Sequence, residues 1–278
     1  MKYFYVISNL SKDYVLDVQD EVQSCLEKRG AVCRYMTDYE RMKNGRHTPG
    51  EYVPEDTQCI ITIGGDGTLI QAARDLAGRN IPMLGINRGH LGFLNQVDRT
   101  EDIDAAMDAL VNERFRLEHR MMLRGTVFHE GKPVFQDIAL NEIIATSAEH
   151  LRVLRYDLAV NDEYLNEYAA DGVMVATPTG STAYNLSAGG PVMAPAGRMM
   201  AVTPVCSHTL NARSIVISEE DRVKIGLLGK GLVTFDGDTS QKTGPGDYLI
   251  VERSHMETVM VKLKQISFMQ NLSNYLGN

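Results

Sequence analysis

Residues 59–68 read CIITIGGDGT. Cys59, Ile60, Ile61 and Ile63 form a short apolar, β-branched run of the kind that makes a buried strand. Leu69, Ile70, Ala73 and Leu76 then recur at helical spacing until Gly78, so a helix is expected after the two glycines. A strand, a bare loop and a helix start are the parts of a phosphate cradle. Gly64 and Gly65 have no Cβ, so their amides can approach an anion closely, and the helix N-terminus adds partial positive charge. The loop lacks the Gly-Lys-Ser/Thr ending of a P-loop and the six-residue GxGxxG spacing of a dinucleotide fingerprint. Asp66 stands where a loop that holds only phosphate would least want an anion. Its carboxylate is repelled there unless a metal ion intervenes or it takes a proton, and both are roles in phosphoryl transfer. The alternative is a tight strand-to-helix turn in which Asp66 only caps the helix.

The chain has 278 residues, of which 44% are hydrophobic and 23% charged, an ordinary composition with ample core. Its length allows one large domain or two of moderate size. A net charge of −8 argues against an extended nucleic-acid or anionic-membrane surface. No apolar stretch approaches the length of a membrane span. The opening MKYFYVISNLSKDY reads as a first strand rather than a signal peptide, which points to the cytoplasm. Cys25, Cys33, Cys59 and Cys206 are scattered without a CxxC pair, so buried thiols are expected rather than disulfides or a zinc site. The histidines show no HxxxH or HExxH spacing, and no histidine-ligated metal is supported.

Strand and helix alternate through the first part. Tyr3–Ile7 is an expected strand, Val15, Val18, Val22 and Cys25 or Leu26 a helical stripe ending at Gly30, and Val32–Tyr35 and Ile81–Ile86 further strands. That alternation implies a doubly wound, Rossmann-like parallel sheet that binds ligands beyond the carboxyl ends of its strands. Residues 36–57 read as a surface loop, either a flap over a site or an idle connection. After Asp98 the style changes. Thr100 is placed to cap a short helix with Ile103, Met107, Leu110 and Val111 on its stripe, and from about Arg116 period-two strands dominate. HEGK at 129–132 and Asn161–Asp162 are hairpin turns, and short strands are expected at Val173–Thr177, Ser214–Ile217, Val223–Leu227, Leu232–Phe235, Tyr248–Val251 and Thr258–Leu263. The reading is therefore an α/β domain over 1–97 and an all-β, sandwich-like domain over 98–263. Residues 264–278 either end the second domain or pass back to the first.

A second constellation, DGVMVATPTGSTAYNLSAGGP, occupies 171–191. Ser181 and Thr182 offer hydroxyls and amides at a helix start, a natural place for a ribose or a diphosphate. Tyr184 could stack on or donate to a ligand. The plain alternative is a capped helix with Tyr184 in the core. Asn141 and Glu142 follow an apolar run at a strand end, and an amide beside a carboxylate suits sugar hydroxyls and a base edge, although a solvated strand end is the commoner meaning. Asp171 may bond a ligand or its own turn.

Taken together, these segments resemble the NAD kinase family. The resemblance rests on GGDGT at 64–68, GINRGHLGFL at 85–94, LNE at 140–142 and above all on 171–191, with SHTLNARSIVI at 207–217 and FDGD at 235–238. It covers about residues 59–240 in the right order. GGDGT alone also occurs in diacylglycerol and sphingoid-base kinases and in phosphofructokinases. The resemblance implies transfer of the γ-phosphoryl group of ATP, or in some members of polyphosphate, to the 2′-hydroxyl of the adenosine ribose of NAD, giving NADP. It further implies Mg²⁺ or another divalent ion, an α/β domain followed by a β-rich one with a returning tail, and a homodimer or homotetramer.

Carried over residue by residue, Asp66 matches the catalytic acid, Gly64, Gly65, Gly67 and Thr68 the phosphate loop, and Asn141 and Glu142 the pair holding the adenosine. Asp171 matches a substrate-site aspartate. Thr182, Ala183, Tyr184, Asn185, Leu186 and Ser187 match the segment contacting the dinucleotide, and Ala212 a small residue against the adenine. Arg152 lies where some members place a substrate contact. Two departures stand out. Ala169 and Ala170 precede Asp171 where some members carry a basic residue, and Asp238 replaces the glutamine of FDGQ, setting an acid beside phosphate. The rivals are a diacylglycerol-type lipid kinase, which needs an apolar acceptor cleft that the hydroxyl-rich 177–187 segment does not suggest, and a non-catalytic dinucleotide sensor, which has no need of Asp66.

Overall fold

The computed structural model describes residues 1–10, 14–37, 40, 43–88, 92–97, 102–149, 152–209, 211–263 and 267–276. The chain divides into two compact units, Met1–His119 with Glu257–Asn278, and Arg120–Met256. The division thus falls later than residue 97, and the return begins earlier than residue 264. The reason is packing. The helix Ile103–Val111 buries Ile103, Met107 and Leu110 in the same core as Val18, Val22 and Leu26, and Arg29 pairs with Asp104 at 2.9 Å. The cap expected at Thr100 lies outside the described residues.

In the first unit, β1 (Tyr3–Ser8), α1 (Val15–Glu27), β2 (Val32–Tyr35), β3 (Cys59–Ile63), α2 (Asp66–Asp75), β4 (Met83–Ile86) and α3 (Ile103–Val111) follow one another. The strands lie in the order β2-β1-β3-β4, all parallel, with Val6 beside Ile61 and Ile61 beside Leu84. Met260, in the returning segment, pairs parallel with Met83 at the edge of β4. Alternation sends Phe4, Val6, Ile61, Ile63, Leu84 and Ile86 to the face covered by α1 and α3. Leu69 of α2 meets the opposite face at Gly85. Helices on both faces of a parallel sheet put the strands' carboxyl ends, and Gly64–Gly65, at one rim. The second half of the 36–57 connection is no idle loop. Arg79 donates to the carbonyls of Gly50 and Val53, each at 2.7 Å, and Thr48 and Val53 are buried.

The second unit holds two antiparallel layers. β5 (Arg116–His129), which enters from the first unit, pairs with β6 (Lys132–Ala139) through the expected HEGK turn. β7 (Glu142–Ser147), β8 (Leu154–Val160), β9 (Glu163–Ala170), β10 (Gly172–Ala176), a one-turn α4 (Tyr184–Ser187), β11 (Met199–Val205), β12 (Ile215–Ser218), β13 (Val223–Leu227), β14 (Gly231–Phe235), β15 (Thr239–Thr243) and β16 (Tyr248–Lys262) complete it. β16 then carries the chain back, and α5 (Phe268–Leu276) ends it. One layer runs β12-β11-β10-β7-β14-β15, and the other contains β16-β13-β8-β9. Ile143, Ala145, Val173, Val175, Val233 and Phe235 of the first layer share a core with Tyr156, Leu158, Val223, Ile225, Leu249 and Val251 of the second. This is the expected sandwich.

Three details differ from the sequence reading. β11 escapes it because MMAVTPV is buried along most of its length and shows no alternation, and β15 because TSQKT is a polar edge strand. The strands expected at Tyr248–Val251 and Thr258–Leu263 are one strand, whose polar middle is used: Arg253 pairs with Glu219 at 3.0 Å and Glu257 with His119 at 3.2 Å. Cys25 and Cys59 are buried thiols, but Cys206 is exposed and Cys33 half-buried.

Candidate active site

In the first unit the apolar run of β3 ends at Gly64, where the chain turns at φ +152°. A Cβ there would lie 2.4 Å from Oγ1 of Thr68, so the turn requires glycine. The Gly64 N–H donates to the carbonyl of Ile86 at 2.9 Å and is therefore not offered to an anion, contrary to the sequence reading. The first turn of α2 follows, where the Thr68 N–H donates to the Gly65 carbonyl at 3.0 Å. A cleft of about 670 Å³ opens beside this turn. Val6, Ile7, Leu10 and Met36 give it an apolar wall, and Arg46, His47, Thr68 and Gln71 a polar one. Arg46 and His47 were not singled out in the sequence, because they stand alone in a loop with no periodicity. His47 is set by Asp75, whose Oδ1 lies 3.1 Å from Nδ1, while Asp75 Oδ2 accepts the Thr48 N–H at 2.6 Å.

Asp66 opens α2, but Gly65 is the residue at the cap and no side-chain cap bond is made. The capping alternative therefore fails. The carboxylate instead turns to the chain beyond β4, where it accepts from the amides of Phe93, Leu94 and Asn95 and from the Asn95 side chain. Burial raises its pKa against the downward pull of these donors. Within GINRGHLGFL, residues 89–91 lie outside the described ones.

In the second unit Asn141 and Glu142 do not lie on a solvated strand end. They occupy the step from β6 into β7 and are 9% and 8% exposed. Asp236, of FDGD, clasps this step by accepting the backbone N–H groups of Leu140 at 2.6 Å, Asn141 at 2.8 Å and Glu142 at 3.0 Å. The TPTGST turn is stitched to the same step. Thr177 Oγ1 donates to the Leu140 carbonyl at 2.6 Å, and the Thr177 N–H to that of Asn141 at 2.8 Å. A Cβ on Gly180 would fall 2.2 Å from the Asn141 carbonyl oxygen, so only glycine permits the approach. Arg120, one of three arginines in β5 and passed over by the sequence reading, is buried beneath the turn and donates to Thr179 Oγ1 at 3.2 Å.

Glu142 is the most perturbed carboxyl of this unit. One of its carboxylate oxygens, Oε2, is buried with no hydrogen-bond partner among the described residues. Burial first, and the nearby Asp236 charge second, push its pKa up to about 8. A buried acceptor without a donor is unfavourable unless a ligand supplies one.

The structure divides the 182–187 segment. Ser181, fully buried, donates inward to the Pro178 carbonyl at 2.7 Å and does not face a ligand. Asn185 is also fully buried: its amide donates to the carbonyls of Ser181 and Pro191, and its oxygen accepts from Thr203 at 2.7 Å. Its side chain is thereby committed to shaping the turn. Tyr184 is 46% exposed, so it is not a core aromatic, and Ser187 is exposed too. Thr182, Ala183 and Leu186 are half-buried.

The remaining candidates are spread over the unit. Asp171, at the β9–β10 junction, is exposed with His208 at 4.0 Å, and Thr209 Oγ1 accepts the Ala169 N–H at 3.3 Å, so the 207–209 segment runs beside it. Ala212 packs on the edge of the sandwich core, and Leu210 lies outside the described residues. Arg152 is exposed and pairs with Glu149 at 3.4 Å. Asp238 follows the tight turn at Asp236–Gly237 and donates its N–H to the Phe235 carbonyl at 2.9 Å.

Comparison with known proteins matches both halves. Residues 5–115 correspond to the ATP-NAD kinase N-terminal domain and residues 140–263 to the ATP-NAD kinase C-terminal domain. NAD kinase of Lachnospira eligens is 36% identical over 292 aligned residues, covering 99% of both chains. That of Agathobacter rectalis is 37% identical, covering 100% of this chain and 99% of its own. The chain belongs to the ATP-NAD kinase family. As a member it is a phosphotransferase that uses ATP to phosphorylate NAD, and a lipid kinase is not favoured. Two solved structures share the fold. Yeast NADH kinase complexed with NADH superposes with a TM-score of 0.87 at 21% identity, over 100% of this chain and 88% of that one. An Archaeoglobus fulgidus NAD kinase in complex with ATP gives 0.78 at 23%, over 100% and 98%. Among the described residues no helix is long and apolar enough to cross a membrane.

Proposed function

We propose that the kinase transfers the γ-phosphoryl group of ATP to the 2′-hydroxyl of the adenosine ribose of NAD, with Asp66 as the general base. The 2′-O–H proton passes to the Asp66 carboxylate, the oxygen forms a bond to the γ-phosphorus, and the bond from that phosphorus to the bridging oxygen of ADP breaks. Support comes from the raised pKa of Asp66, which makes it a better base near neutrality than an ordinary aspartate. The observation that carries the acceptor side is the partnerless Oε2 of Glu142, which needs a donor such as a ribose hydroxyl. Asn141 stands beside it, and the exposed Tyr184 and Ser187 are the members of the 182–187 segment best placed to meet the dinucleotide. On the donor side, the first turn of α2 takes the phosphates, and the cleft beside it suits a nucleotide, with an apolar wall for the base, Arg46 for charge and His47 for hydrogen bonding.

Mg²⁺ or another divalent ion belongs to this reading, where it neutralises phosphate charge. Among the described residues no group of three or more His, Cys, Asp or Glu side chains gathers to hold a metal, so the ion would come with the donor phosphates. Polyphosphate as an alternative donor, a homodimer or homotetramer, and a cytoplasmic setting complete the proposal. The four free thiols suit a reducing compartment. The purified protein with ATP and Mg²⁺ should phosphorylate NAD but neither 2′-deoxy-NAD, which lacks the nucleophile, nor diacylglycerol. Labelled phosphate on the deoxy compound would overturn the assignment.

A further inference from the structure

The seat of the Asp66 carboxylate is built by residues that do not belong to the GGDGT loop. The chain beyond β4 comes back beside that strand, held by the Gln96 N–H on the Gly85 carbonyl at 3.0 Å and the Asn87 N–H on the Val97 carbonyl at 2.9 Å. This places Asn95, only 2% exposed, with its Nδ2 donating to Asp66 Oδ1. Two glycines clear the space. A Cβ on Gly92 would lie 2.2 Å from Asp66 Oδ1, and one on Gly85 would lie 2.3 Å from Asn95 Oδ1. The other end of the Asn95 amide gains nothing, since its Oδ1 is buried with no hydrogen-bond partner. A buried asparagine with one end unsatisfied is a poor way to fill a core, where an apolar side chain would leave no polar atom unpaired. What the asparagine supplies, and leucine cannot, is a donor aimed at one carboxylate oxygen.

We propose that Asn95 is a positioning residue for the reaction, fixing the orientation of the Asp66 carboxylate that receives the acceptor's proton. The inference rests on the reading of Asp66 as the base. Asn95 itself exchanges no proton and touches no substrate. It removes the carboxylate's rotational freedom before the acceptor binds, so that the receiving oxygen is in place when the hydroxyl arrives. Among the described residues none forms an ion pair with Asp66. The groups acting on it are the three backbone amides and this side chain.

The test compares Asn95→Leu, which keeps the branched shape and removes the donor, with Asn95→Ala, Asp66→Asn and the double variant Asp66→Asn/Asn95→Leu in the whole 278-residue chain. Steady-state rates with ATP, Mg²⁺ and NAD are measured across pH, with melting temperature alongside. Asn95→Leu should lower kcat about 10- to 100-fold, the size of one lost charge-assisted hydrogen bond, and leave both KM values within about threefold. The acid limb of its kcat/KM profile should move to higher pH, because a donor that favoured the carboxylate anion has gone. In the Asp66→Asn background the change should lower kcat no further. Asn95→Ala should behave alike and serves in place of Asn95→Leu if that variant does not fold. Wild-type kcat in Asn95→Leu, an equal further loss on top of Asp66→Asn, or a loss explained by a lower melting temperature with the acid limb unmoved would each overturn the proposal. If Asp66→Asn collapses activity while Asn95→Leu does not, the positioning role alone fails. If Asp66→Asn stays near normal, the base assignment fails and the positioning role with it.

Discussion

The two units each bury a candidate carboxylate, and they treat it in opposite ways. Asp66 is surrounded by donors from its own unit: the amides of Phe93, Leu94 and Asn95 and the Asn95 side chain. Glu142 has an oxygen with no partner and a second carboxylate, Asp236, close by. Both pKa values are raised by burial, yet one carboxylate is held in place before substrate arrives and the other lacks a partner that substrate could bring. The contrast separates a group that must be aimed from a group that must recognise. A general base gains from a fixed geometry, whereas a recognition group gains from an unsatisfied site that rejects the wrong ligand.

Substitutions that remove one role without the other can break this contrast. The largest effect is expected from Asp66→Asn, which keeps shape and removes the base. The kcat should fall at least roughly a hundredfold, with NAD binding, followed by calorimetry, little changed. Near-normal turnover would take Asp66 out of the chemistry.

Next comes Asp236→Asn. The replacement tolerates the same positive φ of 49° but offers a single oxygen to three backbone N–H groups. Unfolding free energy should drop by about 1–3 kcal/mol and KM for NAD should rise, because the step carrying Asn141 and Glu142 loosens. Unchanged denaturant midpoints would show that the clasp contributes nothing.

Glu142→Gln sharpens the comparison through pH. In the folded protein this carboxyl titrates at about 8, well above an ordinary glutamate. Between about pH 4.5 and 8 the unfolded chain has released the proton while the folded chain retains it, so wild-type stability declines as pH rises through this window and levels off above it. The Gln variant escapes the decline. Its melting temperature should match the wild type near pH 4.5 and exceed it increasingly towards pH 8, while kcat/KM for NAD falls roughly ten- to a hundredfold above about pH 8, where the wild-type carboxylate is charged. A stability difference that is flat with pH would place the ionisation elsewhere.

The smallest effect is expected from Tyr184→Phe. An exposed phenol on a one-turn helix should change KM for NAD by no more than about threefold and stability by less than about 0.5 kcal/mol. A tenfold rise in KM would promote its hydroxyl to a recognition group.

The sequence by itself determined the main lines. The β-branched run ending at Gly64–Gly65 announced strand, loop and helix, and period-two alternation from Arg116 onward announced the sandwich, because both patterns are set by which residues must leave water. It also picked out Asp66, an acid set in a glycine loop, whereas Asn141 and Glu142 stood out through the family resemblance. It could not see what depends on distant partners. β11 is buried along most of its length and β15 is polar, so neither has a legible period. That Asn185 turns inward to Thr203, that Gly64 has given its amide to Ile86, and that Asp236 clasps the step before β7 are decided by residues distant in the chain. Asn95 is the clearest case. In GFLNQVD it is one polar residue in a loop, and only the return of that loop along β4 brings its amide to Asp66. Sequence patterns report which surfaces seek burial, whereas the partner of a hydrogen bond is fixed by three-dimensional packing.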